Sequence, residues 1–457
     1  MFRFLSSPVY VQWEVTPKCN YRCVHCYNHW RSEAGDETTL DPAKWYDKVV
    51  TEIISNQVFM VTVTGGEPLL VLNRIKPSLQ RLQESGIRIS INSNLSLLTE
   101  KKARILKDLE IASILTSLPS GNARLNDQIT QKREALSLTT HGIELALKYG
   151  LNVTANMVVT KLNVRDVFRT AQHIAGLGVK NFSATKATVP GNCQDFSRYS
   201  LSIQEFRFLM GELLHVKDEL GMNVDSMEFY PSCAFGNSIT RNLFGAKRFC
   251  SAAKTNCTIG YDGQIRPCSH ASQTYGSITD GLRRAWLAMD EWRNDQWIPT
   301  ECKDCRLKLR CGGGCKIEAL RVNGALTKPD PYCDYSQLPI SQIEKPEEIE
   351  IASGIHLQFN SKLQLRKEDF GGILYAGPTA WVPVDHKLFQ FTNTRKEGYC
   401  AIDELAQWMG TSIVEANKLV NYLYQNDIVR LEADNGNARR NSQATVERTR
   451  RERDLPL

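Results

Sequence analysis

The cysteines constrain this chain more than any other feature. Fourteen of its 457 residues are cysteine, and eleven of those fall in two groups, Cys19 to Cys26 and Cys250 to Cys333. In a small secreted domain such a count would imply disulfides. Here the first residues lack a basic stretch, an apolar core and a cleavage site, which predicts a cytoplasmic protein. In that setting tight thiol clusters imply metal. The longest apolar runs are strand-sized, so the sequence also predicts no membrane span. A length of 457 residues predicts two or three domains.

The first half alternates strand and helix. Strand-like stretches at Val9–Thr16, Val58–Thr64, Ile87–Asn92, Ser113–Ser117, Val153–Val159 and Val179–Thr185 are separated by amphipathic segments. Among the latter, Leu40–Ser55 has Asp41 as its expected N-cap and Pro42 at its first turn, and Arg165–Ala175 stops before Gly176. Repeated βα units predict an α/β fold with a parallel sheet, here a partial (β/α)6 barrel, with its chemistry at the carboxyl ends of the strands. The alternation fades near Asn223. Domains are expected at 1–225, 226–336 and 353–432, with a linker at 337–352 and an unfolded basic tail at 433–457. The net charge is only +6, and Glu447, Glu452 and Asp454 interrupt the arginines of the tail, so no nucleic-acid partner is expected.

The first group reads Thr16-Pro-Lys-Cys19-Asn-Tyr-Arg-Cys23-Val-His-Cys26-Tyr27, just after the first strand. Three thiolates on one loop can hold three irons of a cubane and leave the fourth open. Zinc is the alternative, with His25 or His29 as a further ligand. The spacing strongly resembles the radical S-adenosylmethionine (SAM) superfamily. That resemblance implies SAM bound to the open iron and cleaved to a 5′-deoxyadenosyl radical. It also gives roles to other residues. Thr64-Gly65-Gly66-Glu67-Pro68 would be the turn that meets the SAM ammonium, with glycines for close approach and Glu67 for charge. His25 would lie near the adenine. Asn92, Ser93 and Asn156 would contact the ribose or carboxylate, although Asn156 also suits a polar barrel interior.

The second group is spaced Cys302-x2-Cys305-x5-Cys311-x3-Cys315-x17-Cys333, preceded by Cys250-x12-Gly263-x4-Cys268. This resembles the SPASM extension of peptide-modifying radical SAM enzymes. The resemblance implies two auxiliary clusters, for three [4Fe-4S] clusters in all. Cys302, Cys305, Cys311 and Cys333 would hold the second. Cys250, Cys268 and Cys315 would hold the first, with Cys257 as fourth ligand, Cys233 as runner-up, or an open iron; one auxiliary cluster could also be 2Fe-2S. Zinc-ribbon binding is the alternative for the whole region. A sulfatase-type maturase would place an aspartate directly after the cysteine matching Cys268, whereas this chain has Ser269-His270. Catalytic candidates are His270, as a proton acceptor, and Cys193, after the sixth strand.

Beyond the linker, extended segments at His356–Leu363 and Gly372–Val384 precede helical patterns at Ala401–Met409 and Val414–Asn426 and a strand at Ile428–Leu431. With Leu365 to Tyr375, this resembles the PqqD-like recognition element for ribosomally made, modified peptides (RiPPs). A leader peptide would then add a strand near Trp381–Val384 or Lys387–Thr392 and face the helix at Val414–Asn426. The pattern is also that of a DNA-binding winged helix, but Lys418 is the only strong base on Ile413–Gln425. Together these resemblances imply a RiPP maturase that abstracts hydrogen from a precursor peptide and forms a thioether or carbon–carbon cross-link. A flavodoxin- or ferredoxin-like protein would supply electrons. Epimerisation, decarboxylation, sulfatase-type maturation and an inert leader-binding iron–sulfur scaffold are the alternatives.

Overall fold

A computed structural model describes residues 4–28, 42–191, 195–245, 248–335 and 355–433. The chain divides into two compact units, Met1–Gln342 and Ile343–Leu457. Asp41, Cys193, His29, the linker at 337–352 and the tail from 434 lie outside the described residues.

Unit one is built on a nine-stranded sheet. The strands are β1 (Tyr10–Glu14), β2 (Met60–Thr64), β3 (Arg88–Ser93), β4 (Ser113–Ser117), β5 (Val153–Val159), β6 (Asn181–Lys186), β7 (Asn223–Asp225), β8 (Asn256–Ile259) and β9 (Ile265–Arg266). Their order is β7-β6-β5-β4-β3-β2-β1-β8-β9. Strands β1 to β7 run parallel in sequence order, as βα units require. The helices between them are α1 (Pro42–Ser55), α2 (Leu72–Glu84), α3 (Glu100–Asp108), α4 (Ala123–Thr130), α5 (Ala135–Lys148), α6 (Val167–Gly176) and α7 (Ile203–Leu220). Local sequence explains their ends. Ser202 and Glu205 close a capping box on α7, and Gly221 stops it in the left-handed region.

The six expected strands are present, within a few residues of their expected bounds. The sheet extends further at both edges. β7 has three residues, too few to show a period in sequence. On the other side β8 pairs parallel to β1, and β9 returns antiparallel to it. The chain therefore comes back across the barrel, and the second cysteine group starts beside the strand that carries the first. The rest of this unit is α8 (Ser238–Thr240), α9 (Leu282–Ala288), α10 (Lys308–Cys311), α11 (Lys316–Asn323) and turns.

Unit two has two antiparallel three-stranded sheets. One has the order β14 (Tyr399–Ala401), β10 (Ile355–Phe359), β15 (Val429–Ala433); the other is β11 (Gln364–Glu368), β12 (Gly371–Tyr375), β13 (Trp381–Val384). Three helices accompany them: α12 (His386–Arg395), α13 (Ile402–Met409) and α14 (Ile413–Gln425). Leu357, Phe359, Leu374, Val382, Leu388, Phe391, Val420 and Leu423 share one core. One expectation is overturned: Lys387–Thr392 is helical and offers no strand edge. Asp385 caps α12 by accepting the Leu388 N–H, and Leu388, Phe391 and Thr392 bury one face at helical spacing. The extended stretch Gly372–Val384 is a hairpin, β12 and β13, and β13 is an edge strand. Among the described residues no helix is long and apolar enough to cross a membrane.

Candidate active site at the strand ends

The loop that follows β1 carries Cys19, Cys23 and Cys26, all half-buried. It is fixed on two sides. Arg22 and Val24 donate their N–H groups to Thr130 and Ile129 at the end of α4, at 3.0 and 2.9 Å. From the other side the turn after β2 closes in. Gly66 N donates to Thr16 O at 2.7 Å and Glu67 N to Lys18 O at 2.9 Å. A Cβ on Gly66 would stand 2.0 Å from Lys18 O, so only glycine permits this approach. A Cβ on Gly65, at φ +124, would stand 2.6 Å from Thr16 O. The glycines thus bring the turn against the cysteine loop itself, a use the sequence reading did not foresee.

Glu67 is 1% exposed. Its Oε1 accepts from Leu69 N at 3.0 Å and Ser93 Oγ at 2.7 Å, and its Oε2 from Asn94 N at 2.8 Å. Burial raises its pKa, and those three bonds oppose the rise. The carboxylate therefore braces the end of β2 against the end of β3. Ser93 serves that brace. Asn94 continues it, since its Nδ2 reaches Asn20 Oδ1 at 2.9 Å, within the cysteine loop. His25 is buried. Asn92 and Asn156 are half-buried on β3 and β5, and Asn156 Oδ1 accepts from Thr185 Oγ1 at 3.0 Å.

Two residues beside Cys26 escaped sequence reasoning. Asn28 is buried and donates from Nδ2 to Gly65 O at 2.7 Å, while its Oδ1 has no hydrogen-bond partner among the described residues. Tyr27 reaches Thr64 and lies beside the buried Glu14–Arg266 ion pair, which ties β1 to β9. Their only sequence signal is adjacency to the last cysteine of the loop.

The region after β9 converges on the same end. The His270 ring lies tilted against Tyr27, with ring centroids 4.9 Å apart, and its Nε2 is 3.7 Å from Glu228. Burial lowers its pKa, and Glu228 works against that. Lys186, the last residue of β6, forms a buried pair with Glu318 of α11 at 3.5 Å. Glu318 also accepts the Val189 N–H at 2.9 Å, and Arg321 donates to the carbonyls of Val189 and His270. Helix α11 thereby clips the loop after β6 to the Cys268 loop.

Cys250, Cys268 and Cys315 lie within electrostatic reach of one another through Cys250. Burial pushes Cys268 up to about 11. Glycines 312–314 all take positive φ, and Asp330 binds the backbone of both Cys315 and Tyr332, at 2.9 and 2.8 Å. This holds the turn between Cys311 and Cys315 against the segment that leads into Cys333. Cys257 is elsewhere: it is fully buried on β8, opposite Val11, and its charged neighbour is Arg293. Cys400 is buried in the core of unit two.

Iron–sulfur clusters are the implied cofactors, and backbone donors at the sulfurs test the fit. A thiolate on iron carries negative charge, and N–H groups aimed at it stabilise that charge and tune the potential. Tyr21 N lies 3.4 Å from Cys19 Sγ. Cys268 accepts from His270 and Ala271, Cys311 from Ser232, Gly313 and Gly314, and Cys315 from Glu318. These donors suit thiolates on iron at Cys19, Cys268, Cys311 and Cys315.

Residues 13–174 match the sequence model of the radical SAM superfamily. The chain is 23% identical over 360 residues to the AdoMet-dependent heme synthase of Methanosarcina barkeri, covering 73% of this chain and 99% of that protein. It is 24% identical over 329 residues to the subtilosin biosynthesis protein AlbA of Bacillus subtilis, covering 69% of each. Its fold is that of Streptococcus suis SuiB, solved bound to its precursor peptide SuiA, with a TM-score of 0.60 at 19% identity, covering 73% of this chain and 76% of that one. Residues 13–174 carry a radical SAM domain, and the relatives of the chain include a bacteriocin biosynthesis protein and the mycofactocin maturase MftC.

Proposed function

We propose that this protein is a maturase that uses SAM to modify a ribosomally made precursor peptide, forming a thioether or carbon–carbon cross-link. The observation that carries the SAM half is the lock between the Gly65-Gly66-Glu67 turn and the loop of Cys19, Cys23 and Cys26. When bound there, a cluster supplies the electron that cleaves SAM to the 5′-deoxyadenosyl radical. The chain's residues hold and screen that chemistry. Asn28 fixes the Gly65 carbonyl and keeps one acceptor in reserve for the SAM ammonium. His25, Asn92 and Asn156 line the remaining SAM contacts. Arg321 of α11 ties the loop after β6 to the Cys268 loop beside the strand ends.

Unit two supports the peptide half. Among the described residues β13 is paired on one side only and offers an edge to which a leader strand can add, and α14 exposes Ile413, Val414 and Tyr422 beyond its buried face. A flavodoxin- or ferredoxin-like protein completes the scheme as electron donor. The kinship with a heme synthase supplies a second reading, with a tetrapyrrole as substrate. The peptide reading is preferred because β13 and α14 suit an extended peptide.

The test is anaerobic co-expression with each short open reading frame encoded beside the gene, followed by intact-mass analysis. Loss of two hydrogens from one peptide, abolished by Cys19→Ala, supports the cross-linking maturase. No change in mass and no deuterium uptake in any peptide contradicts it.

A further inference from the structure

The two faces of the sheet in unit one differ in kind. One is apolar and closed: Val11, Trp13, Val63, Ile91, Ala155 and Met157 are each no more than 1% exposed. Strand alternation puts the residues between them on the other face, which stays half-buried at Gln12, Thr62, Asn92, Ser117, Thr154 and Asn156. Register carries this polar surface across the strands, with Gln12 beside Thr62 and Ser117 beside Asn156. Its members also bond one another, Ser90 Oγ to Ser113 Oγ at 2.9 Å and Thr185 Oγ1 to Asn156 Oδ1 at 3.0 Å. Met60, Leu115 and Val158 are the half-buried apolar exceptions on β2, β4 and β5.

We propose that this uncovered face binds the substrate, and that it selects an extended, uncharged polar peptide segment whose side chains are hydroxyls and carboxamides. The inference rests on the peptide reading above and adds the chemistry of the segment.

Two observations carry it. The first is hydrogen-bonding capacity left over. Among the described residues, the hydroxyls of Thr62, Ser117 and Thr154 engage no hydrogen-bond partner. Half-buried hydroxyls of this kind hold water, which a ligand displaces without loss only if it bonds them in turn. The second is charge. At the carboxyl ends the ions of the face are already neutralised: Glu14 pairs with Arg266 at 0% and 4% exposure, and Lys186 pairs with Glu318. Arg88 stands at the start of β3, about 13 Å along the strand from Asn92. An acidic segment, or a tetrapyrrole with its carboxylates, would therefore reach the strand ends opposite cations that are already paired. An apolar segment would strip water from hydroxyls it cannot bond. A polar uncharged peptide replaces that water through both its side chains and its backbone.

The experiment uses the full chain, reconstituted anaerobically with SAM and reductant, and follows 5′-deoxyadenosine formed above the ligand-free rate. The probes are short synthetic peptides of Ser, Asn, Thr and Gly, of Leu, Val, Ala and Gly, and of Asp, Glu, Ser and Gly, together with a carboxylate-bearing porphyrin. The first peptide is expected to half-saturate at about 10-fold lower concentration than the other two. Thr154→Val combined with Ser117→Ala removes two hydroxyls at little change in volume. It is expected to raise the half-saturating concentration of the first peptide about 10-fold and to leave that of the apolar peptide in place, whereas a general loss of structure would shift both. Stimulation best by the apolar or the acidic peptide, none by the polar one, or a preference that survives both substitutions overturns the inference. If the double variant misfolds by circular dichroism, the ranking of the peptides on the unsubstituted enzyme decides. Stimulation by the porphyrin alone would instead sink the peptide reading itself.

Discussion

Glu67→Gln tests whether this carboxylate is a brace or a charge for SAM. The substitution keeps size and one oxygen. The amide nitrogen then meets the Asn94 N–H, donor against donor, where Oε2 accepts at 2.8 Å. A buried N–H left unsatisfied costs about 1–3 kcal/mol, and the bonds to Leu69 and Ser93 lose their charge assistance. Relief from burying a charge offsets part of this, since burial is what raises the Glu67 pKa. The net expectation is a loss of about 2 kcal/mol, roughly 30-fold in the folding equilibrium. The assay is urea unfolding of the iron-free protein, followed by fluorescence of Trp13 and Trp45, both buried in the same unit. Ser93→Ala should be less than additive with it, because the two share a bond. A variant that unfolds like the wild type but fails to bind SAM would refute the brace and restore the direct ammonium contact.

Other outcomes follow from the same contacts. Gly66→Ala sets a Cβ 2.0 Å from Lys18 O, so the cysteine loop must move; reconstituted protein should lack the first cluster by iron analysis while the auxiliary iron stays. Removing residues 343–457, a separate compact unit, should leave SAM cleavage intact and raise the KM for full-length precursor by about 100-fold, as effective concentration is lost. The pKa of His173 is lowered from 6.5, chiefly by burial. A depressed base contributes stability above pH 6.5 and loses it as pH falls through the folded value, so unfolding midpoints should drop below pH 6.5, and less so in His173→Gln.

The cysteine loop and its partner turn were legible because cluster chemistry fixes residue type and spacing. Their mutual packing was not, since nothing in Gly-Gly-Glu-Pro says that the glycines approach the Thr16–Cys19 backbone and the glutamate spans two strands. The six central strands showed their period, whereas β7 and β8 are too short to do so. Lys387–Thr392 resembled a strand because Phe389, Phe391 and Thr392 favour one, and the decisive Asp385 cap precedes them. Cys257 is buried on β8 near Arg293, and Cys233 accepts from Asp334 N, the neighbour of Cys333 and far from it in sequence. Such pairings depend on tertiary contacts at long sequence range, which periodicity and motifs do not encode.

The most direct test of the central claim follows one hydrogen. A precursor peptide deuterated in its core is incubated anaerobically with reconstituted enzyme, SAM and reductant, and the 5′-deoxyadenosine formed is weighed by mass spectrometry. The account predicts deuterium in that product, dependent on the peptide and abolished by Cys19→Ala. SAM cleavage indifferent to every peptide, with no deuterium transferred, would contradict it.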